Sequence, residues 1–123
     1  MEKLIITVAP TGSVPQKKDT TYVPVTPDEI AETAYSCEQE GASVIHLHCR
    51  DESENPTSDY DAFKETVNKI RKRTHLIIMV STSGVAGKSD ENRAEPLKTN
   101  PEMDSLTTGS LNFAGRKLYC HKQ

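Results

Sequence analysis

Val44-Ile45-His46-Leu47-His48-Cys49-Arg50-Asp51 is an apolar run that stops abruptly at two histidines, a base and an acid. Side chains alternate across a strand, so His46 and His48 share one face with Val44 while Ile45 and Leu47 take the other. Neutral imidazole is the commonest protein ligand for zinc and similar ions, and neighbours two apart on a strand can both reach one ion. The spacing alone leaves two readings open: half of a tetrahedral metal shell, or two hydrogen-bonded histidines at a strand end.

On the N-terminal side of this strand, Thr26-Pro27-Asp28-Glu29 supplies a capping hydroxyl, a proline at the first helical position and a glutamate three residues after the cap. A helix starts there, with Ile30, Ala34 and Cys37 on its inner face and Gly41 ending it. Further back, residues 4–9 form a β-branched apolar run closed by Pro10-Thr11-Gly12, the pattern of a strand buried on both faces. Residues 13–25 carry Pro15 and Pro24 without helical period, so they read as a long loop, and such loops are often functional.

On the C-terminal side, the polar residues 52–57 read as a loop, and Ser58 or Asp59 caps a second helix. Tyr60, Phe63, Val67 and Ile70 repeat at helical spacing, and the basic residues Arg71 to Arg73 suit the negative end of the helix dipole as a solvated terminus. Residues 76–80 form a third strand that delivers Ser81-Thr82-Ser83-Gly84 to its carboxyl end. Residues 90–97 suggest a short helix truncated by Pro96. A fourth strand, residues 103–111, is rich in hydroxyls and puts Ser105, Thr107 and Gly109 on one face. Residues 115–123 offer no further complete element.

Hydrophobic residues make up 34% of the 123, aromatics 5%, and Trp is absent, which makes for a modest core in one unit, residues 1–123. A net charge of -3 without a long basic run argues against a nucleic-acid partner. Cys37, Cys49 and Cys120 lack C-x-x-C spacing and read as reduced thiols, Cys49 as a packed one. No segment approaches the roughly 20 apolar residues that span a bilayer, and the first residues lack a signal-peptide pattern. A soluble, cytoplasmic protein is expected.

Four strands alternate with three helices, the order that generates right-handed crossovers and a parallel sheet. In each repeat the polar residues follow the strand, where α/β barrels and open α/β sheets build their sites. Four such units are half of an eight-unit barrel of about 250 residues, and an open four-stranded sheet is the competing architecture. A nucleotide-binding version lacks its glycine loop: no G-x-G-x-x-G follows the first strand, and Gly87-Lys88-Ser89 has Thr82 where a phosphate loop needs glycine.

Five stretches in this order carry a resemblance that covers essentially the whole chain. They are Ala9-Pro10-Thr11-Gly12, Val23-Pro24-Val25-Thr26-Pro27-Asp28-Glu29-Ile30-Ala31, Gly41-Ala42-Ser43-Val44-Ile45-His46-Leu47-His48 with Arg50-Asp51, Ser81-Thr82-Ser83-Gly84, and Pro101-Glu102-Met103 leading to Gly109-Ser110-Leu111-Asn112-Phe113. With them the chain resembles the β-keto acid cleavage enzymes. The resemblance implies a (β/α)8 TIM barrel, of which this chain carries about the first four β/α units. It also implies a catalytic divalent metal, usually Zn2+, and transfer of carbons between a β-keto acid and acetyl-CoA to give acetoacetate and a new CoA thioester.

By the same resemblance His46 and His48 are metal ligands and the ion acts as a Lewis acid. Ser81 and Gly84 line the substrate pocket, with Ser81 stabilising oxyanion charge, and Ser105 touches substrate from the fourth strand. Arg50 and Asp51 support the site without taking part in the chemistry. Val14 stands where the family's amino-keto-acid enzyme has an acidic residue, which points to a plain or apolar β-keto acid. Thr107 replaces a common asparagine and Ser83 a common glycine. The family's third metal ligand, a glutamate, and the arginine and aspartate that deprotonate the keto acid belong to the later half of the barrel. The chain alone is therefore expected to be inactive, as the N-terminal part of a homo-oligomeric enzyme or as a half-barrel that only binds metal or assembles with another half.

Overall fold

Helix α1 (Pro27–Gln39) begins where the sequence puts hydroxyl, proline and glutamate together. The Glu29 N–H donates to Thr26 Oγ1 at 3.2 Å and the Thr26 N–H donates to Glu29 Oε2 at 3.0 Å, closing the expected capping box. Gly41, at φ 97°, makes the left-handed turn that ends the helix. Ile30, Ala31 and Ala34 are buried, while Cys37 is only partly covered.

Helix α2 (Tyr60–Arg73) is capped by Asp59, whose Oδ1 accepts the Ala62 N–H at 3.0 Å. It buries Phe63, Thr66, Val67 and Ile70. Tyr60 stays half-exposed with the Lys64 ammonium 5.3 Å from its ring centroid. The basic end of α2 does more than meet solvent. Arg71 donates to Asn100 O at 2.7 Å and to Glu102 Oε1 at 3.0 Å, and Arg73 pairs with Glu32 of α1 at 2.5 Å. Glu102 Oε2 in turn accepts the Ile78 N–H at 3.0 Å, so one carboxylate ties the end of α2 to the sheet.

The structure is a computed structural model and describes residues 3–82, 88–106, 111–113 and 116–118. Its main sheet is parallel, in the order β1 (Thr7–Val8), β2 (Val44–Leu47), β5 (Ile77–Val80), β6 (Met103–Asp104). Between β2 and β5 lie two short strands, β3 (Cys49–Arg50) and β4 (Pro56–Thr57), paired antiparallel. The register sets Thr7 beside Val44, Val44 beside Ile77, and Met79 beside Met103. Strand order follows chain order without reversal, as in a barrel; a doubly wound sheet reverses at a switch point.

Alternation and register divide the sheet into two faces. Ile45, Leu47, Ile78 and Val80 pack with Ile30, Ala31, Ala34, Phe63, Val67 and Ile70 into one core between sheet and helices. Val44, His46, Ile77, Met79 and Met103 occupy the other face, where Ile77 and Met103 are 42% and 45% exposed. A barrel interior is filled by side chains on that second face. The fold is α/β, of the (β/α)8 barrel class, and this chain carries about four of its units.

The first strand is shorter and more open than the sequence suggests. Only Thr7–Val8 pairs, and Leu4, Ile5 and Ile6 are exposed, because among the described residues β1 has a neighbour on one side alone. Residues 52–57, expected as a plain loop, turn through Glu54 at φ 62° into the β3–β4 hairpin. The short helix is α3 (Asp90–Ala94), followed from Glu95–Thr99 by a 3₁₀ turn with Pro96 near its start. Of the fourth strand expected over 103–111, β6 covers Met103–Asp104 and residues 107–110 lie outside the described residues, while β7 (Leu111–Phe113) pairs antiparallel with β8 (Arg116–Leu118). No helix among the described residues is long and apolar enough to cross a membrane.

Candidate functional site at the carboxyl rim of the sheet

The ladder that joins His46 to Met79 and Met79 to Met103 continues past the strand ends. The Ser81 N–H donates to Leu47 O at 3.0 Å and the Ser105 N–H to Val80 O at 3.2 Å. Two residues beyond the His46 layer on the same face therefore come His48, Ser81 and Ser105. The expected site residues of three strands meet at one rim, while Gly84, Ser83 and Thr107 lie outside the described residues.

The two imidazoles are in contact. Burial lowers the pKa of His46, and burial, aided by the positive charge of His46 and Arg50, lowers that of His48 to about 4. Both rings are neutral near pH 7 and keep a lone pair. His46 Nδ1 is buried without a hydrogen-bond partner, and such a group ordinarily finds one. Two neutral imidazoles with an orphaned ring nitrogen fit two ligands of a divalent ion. Among the described residues no cluster of three His, Cys, Asp or Glu stands ready to complete the shell.

Ser81 is buried at this rim. Ser105 serves its neighbours: its Oγ accepts the Thr82 N–H at 3.2 Å and its carbonyl accepts the Thr82 hydroxyl. Thr82 O accepts from Arg93 Nε at 3.0 Å, which anchors α3 to the rim. This Thr82–Ser105–Arg93 network escaped the sequence reading, because nothing in the spacing of three residues on separate elements marks it.

Beside the histidines, Arg50 is 7% exposed and Asp51 accepts the N–H groups of Ser53 and Asn55, each at 2.9 Å. Burial lowers the pKa of the Arg50 guanidinium, opposed by the charges of Glu54 and Asp51. Both residues tie loops together by hydrogen bonds to the main chain. Cys49 is buried on the helix side, its Sγ 3.6 Å from Thr66 Oγ1, and burial pushes its thiol up to about 12. That is a packed thiol, not a nucleophile.

A one-directional parallel sheet, helices on one face and polar residues gathered at the carboxyl rim, defines the class of α/β barrel proteins that carry their sites there. A family profile described as "beta-keto acid cleavage enzyme" matches residues 3–122, and the chain belongs to the β-keto acid cleavage enzyme family. It is 40% identical over 124 residues to the 3-keto-5-aminohexanoate cleavage enzyme of Fusobacterium nucleatum, covering 100% of this chain and 46% of that protein. It is 42% identical over 113 residues to the 3-oxoadipate:acetyl-CoA acetyltransferase of Cupriavidus necator, covering 91% of this chain and 39% of that one. Among solved structures, a ternary complex of ObcA with a C4-CoA adduct and oxalate matches with a TM-score of 0.66 and 26% identity, over 76% of this chain and 25% of ObcA. The chain spans less than half the length of the curated relatives it matches.

Proposed function

We propose that residues 1–123 are the N-terminal half of a (β/α)8 barrel, an incomplete single domain, and that the complete barrel is a metal-dependent β-keto acid cleavage enzyme. It exchanges the acyl part of a β-keto acid with the acetyl group of acetyl-CoA: the bond between the keto carbon and the CH2 that bears the carboxylate breaks with the acetyl thioester bond, the CH2 joins the acetyl carbon, and the released acyl group joins the CoA sulfur. The products are acetoacetate and a new CoA thioester. The observation that carries this reading is the paired His46 and His48 beside Ser81 at the rim, in a chain whose relatives are named for acetyl-CoA-dependent transfer and β-keto acid cleavage.

His46 and His48 would hold the divalent cation, Zn2+ or a similar ion, which supplies Lewis-acid polarisation of the keto acid. Ser81, on the same face one layer past Met79, donates its hydroxyl to oxygen that gains negative charge. Ser105 and Gly84 line the pocket, Ser105 with its position fixed by Thr82. Val14, 61% exposed on the loop after β1, offers no charge to a substrate ammonium group, which favours a plain or apolar β-keto acid.

The test is the full-length gene product, depleted of metal and reloaded, assayed with acetyl-CoA against β-keto acids of graded tail length and polarity. Acetoacetate release that depends on metal is expected; none from any acid on the panel overturns the reading. A second reading is favoured by the exposed Leu4, Ile5, Ile77 and Met103: the chain alone is a non-catalytic half that binds metal weakly or assembles with another half. It predicts no turnover by the pure 123-residue chain.

A further inference from the structure

A buried guanidinium is costly unless its donors are used. The Nη donors of Arg50 go to the main chain of two different loops, while its buried Nε has no partner. Nη2 donates to Gly12 O at 3.0 Å and to Pro15 O at 2.9 Å, and Nη1 donates to Glu54 O at 3.2 Å. Gly12, at φ 62°, and Pro15 bracket the turn that begins the long loop after β1. Nη2 serves both carbonyls of the long loop while Nη1 serves the hairpin, a planar spread of donors over two loops that a lysine ammonium on a flexible stem does not reproduce.

A second tie runs the opposite way. Glu54, at the tip of the β3–β4 hairpin, accepts the Lys17 N–H on Oε2 at 3.2 Å. The far end of the same loop is held by Thr11 Oγ1 donating to Pro24 O at 2.9 Å, and Lys17, in the latched segment, also pairs with Glu29 of α1. A loop of this length without regular structure is otherwise free to wander, and each ordered residue costs about 1–2 kcal/mol of backbone entropy. The clamp stands two residues after His48 in the chain. One short segment, Arg50 to Glu54, thus follows the histidine pair directly in the chain and holds the long loop by its backbone.

We infer that Arg50 and Glu54 form a positioning latch that registers residues 12–17 against the histidine rim, and so sets where the tail of the substrate lies. The substrate part of this inference rests on the reading proposed above; the latch itself does not. Arg50 and Glu54 are positioning residues, acting through the backbone of the loop.

The experiment uses the full-length protein with the substitutions Arg50→Lys, Arg50→Gln and Glu54→Gly. Glycine suits the positive φ at residue 54, so Glu54→Gly removes the side-chain tie without straining the hairpin. Hydrogen exchange should quicken at the amides between residues 12 and 17 in all variants while α1 and α2 keep their protection. With a substrate in hand, KM for the β-keto acid should rise by about tenfold, as expected for lost hydrogen bonds to charged groups, with kcat changed by less than about twofold. Arg50→Lys should resemble Arg50→Gln, because charge without the fork does not rescue. Wild-type loop exchange and KM in Glu54→Gly together with rescue by lysine overturn the latch. Should the wild-type enzyme turn over no acid on the panel, the exchange data still decide the latch, so the two ideas fail separately. If the Arg50 variants do not fold, Glu54→Gly decides alone.

Discussion

The imidazole rings of His46 and His48 meet edge to face, their centroids 4.8 Å apart and their planes at 75°. Two basic rings so close tolerate burial while neither is protonated, and the neutral form is the one that binds metal. In the full-length protein, His46→Ala and His48→Ala should each lose the bound divalent ion, as read by elemental analysis after dialysis. Full metal occupancy in both variants would show that the pair is not a metal site.

Ser81 is buried at the same rim, one register layer past Met79. Ser81→Ala in the full-length enzyme should lower kcat by about 100-fold, the usual cost of one oxyanion donor, with little effect on bound metal. A fall confined to KM would assign Ser81 to binding alone.

Glu29 accepts from Lys17 Nζ and from the N–H groups of Thr26 and Val25, and these bonds, that of Lys17 first, lower its pKa from 4.5 to about 2. A carboxylate depressed in the folded state adds stability in full above pH 4.5. That contribution drains away as pH falls from 4.5 toward 2. Denaturation midpoints of the wild type should therefore drop across this window more steeply than those of Glu29→Gln. Parallel curves would remove Glu29 from the acid response.

Cys49 has its thiol pushed up to about 12 and lies buried against Thr66, whereas Cys37 is partly exposed. Iodoacetamide at pH 8 should modify Cys37 in the native protein and leave Cys49 untouched until denaturant is added. Mass spectrometry of the peptides reads the result, and rapid native labelling of Cys49 would contradict its packing.

Phe63 is 1% exposed and stands at the centre of the core that joins α2 to the sheet. Phe63→Ala should cost about 3 to 5 kcal/mol in chemical denaturation of the full-length protein. A loss under about 1 kcal/mol would mean the site collapses around the cavity.

Local signals were the legible ones. The capping box at Thr26 and Glu29, the helical repeat of Phe63, Val67 and Ile70, and the alternation that turns His46 away from Ile45 and Leu47 follow from chemistry within a few residues of each other. The exposure of Ile5 was not legible, since an apolar run looks the same on an edge strand as inside a sheet. Glu102 is similar: its reach to Ile78 and Arg71 belongs to two distant elements, and no pattern near Glu102 encodes it. At the site, the meeting of His48, Ser81 and Ser105 was foreshadowed by placement after each strand. The carbonyl partners of Arg50 were hidden, because backbone acceptors carry no sequence mark.

The unreversed strand order has a kinetic meaning. Each strand of the main sheet pairs with the strand one β/α unit before or after it, and α1 packs on α2, its successor. No described ladder pairing waits for a distant part of the chain, so loop-closure entropy is paid in similar instalments along the sheet. Folding can then advance unit by unit from a first β-α-β nucleus. A defect introduced early, at Ile30 or Ile45, should slow every later step, whereas one near Met103 should leave the pairing of β1, β2 and β5 untouched.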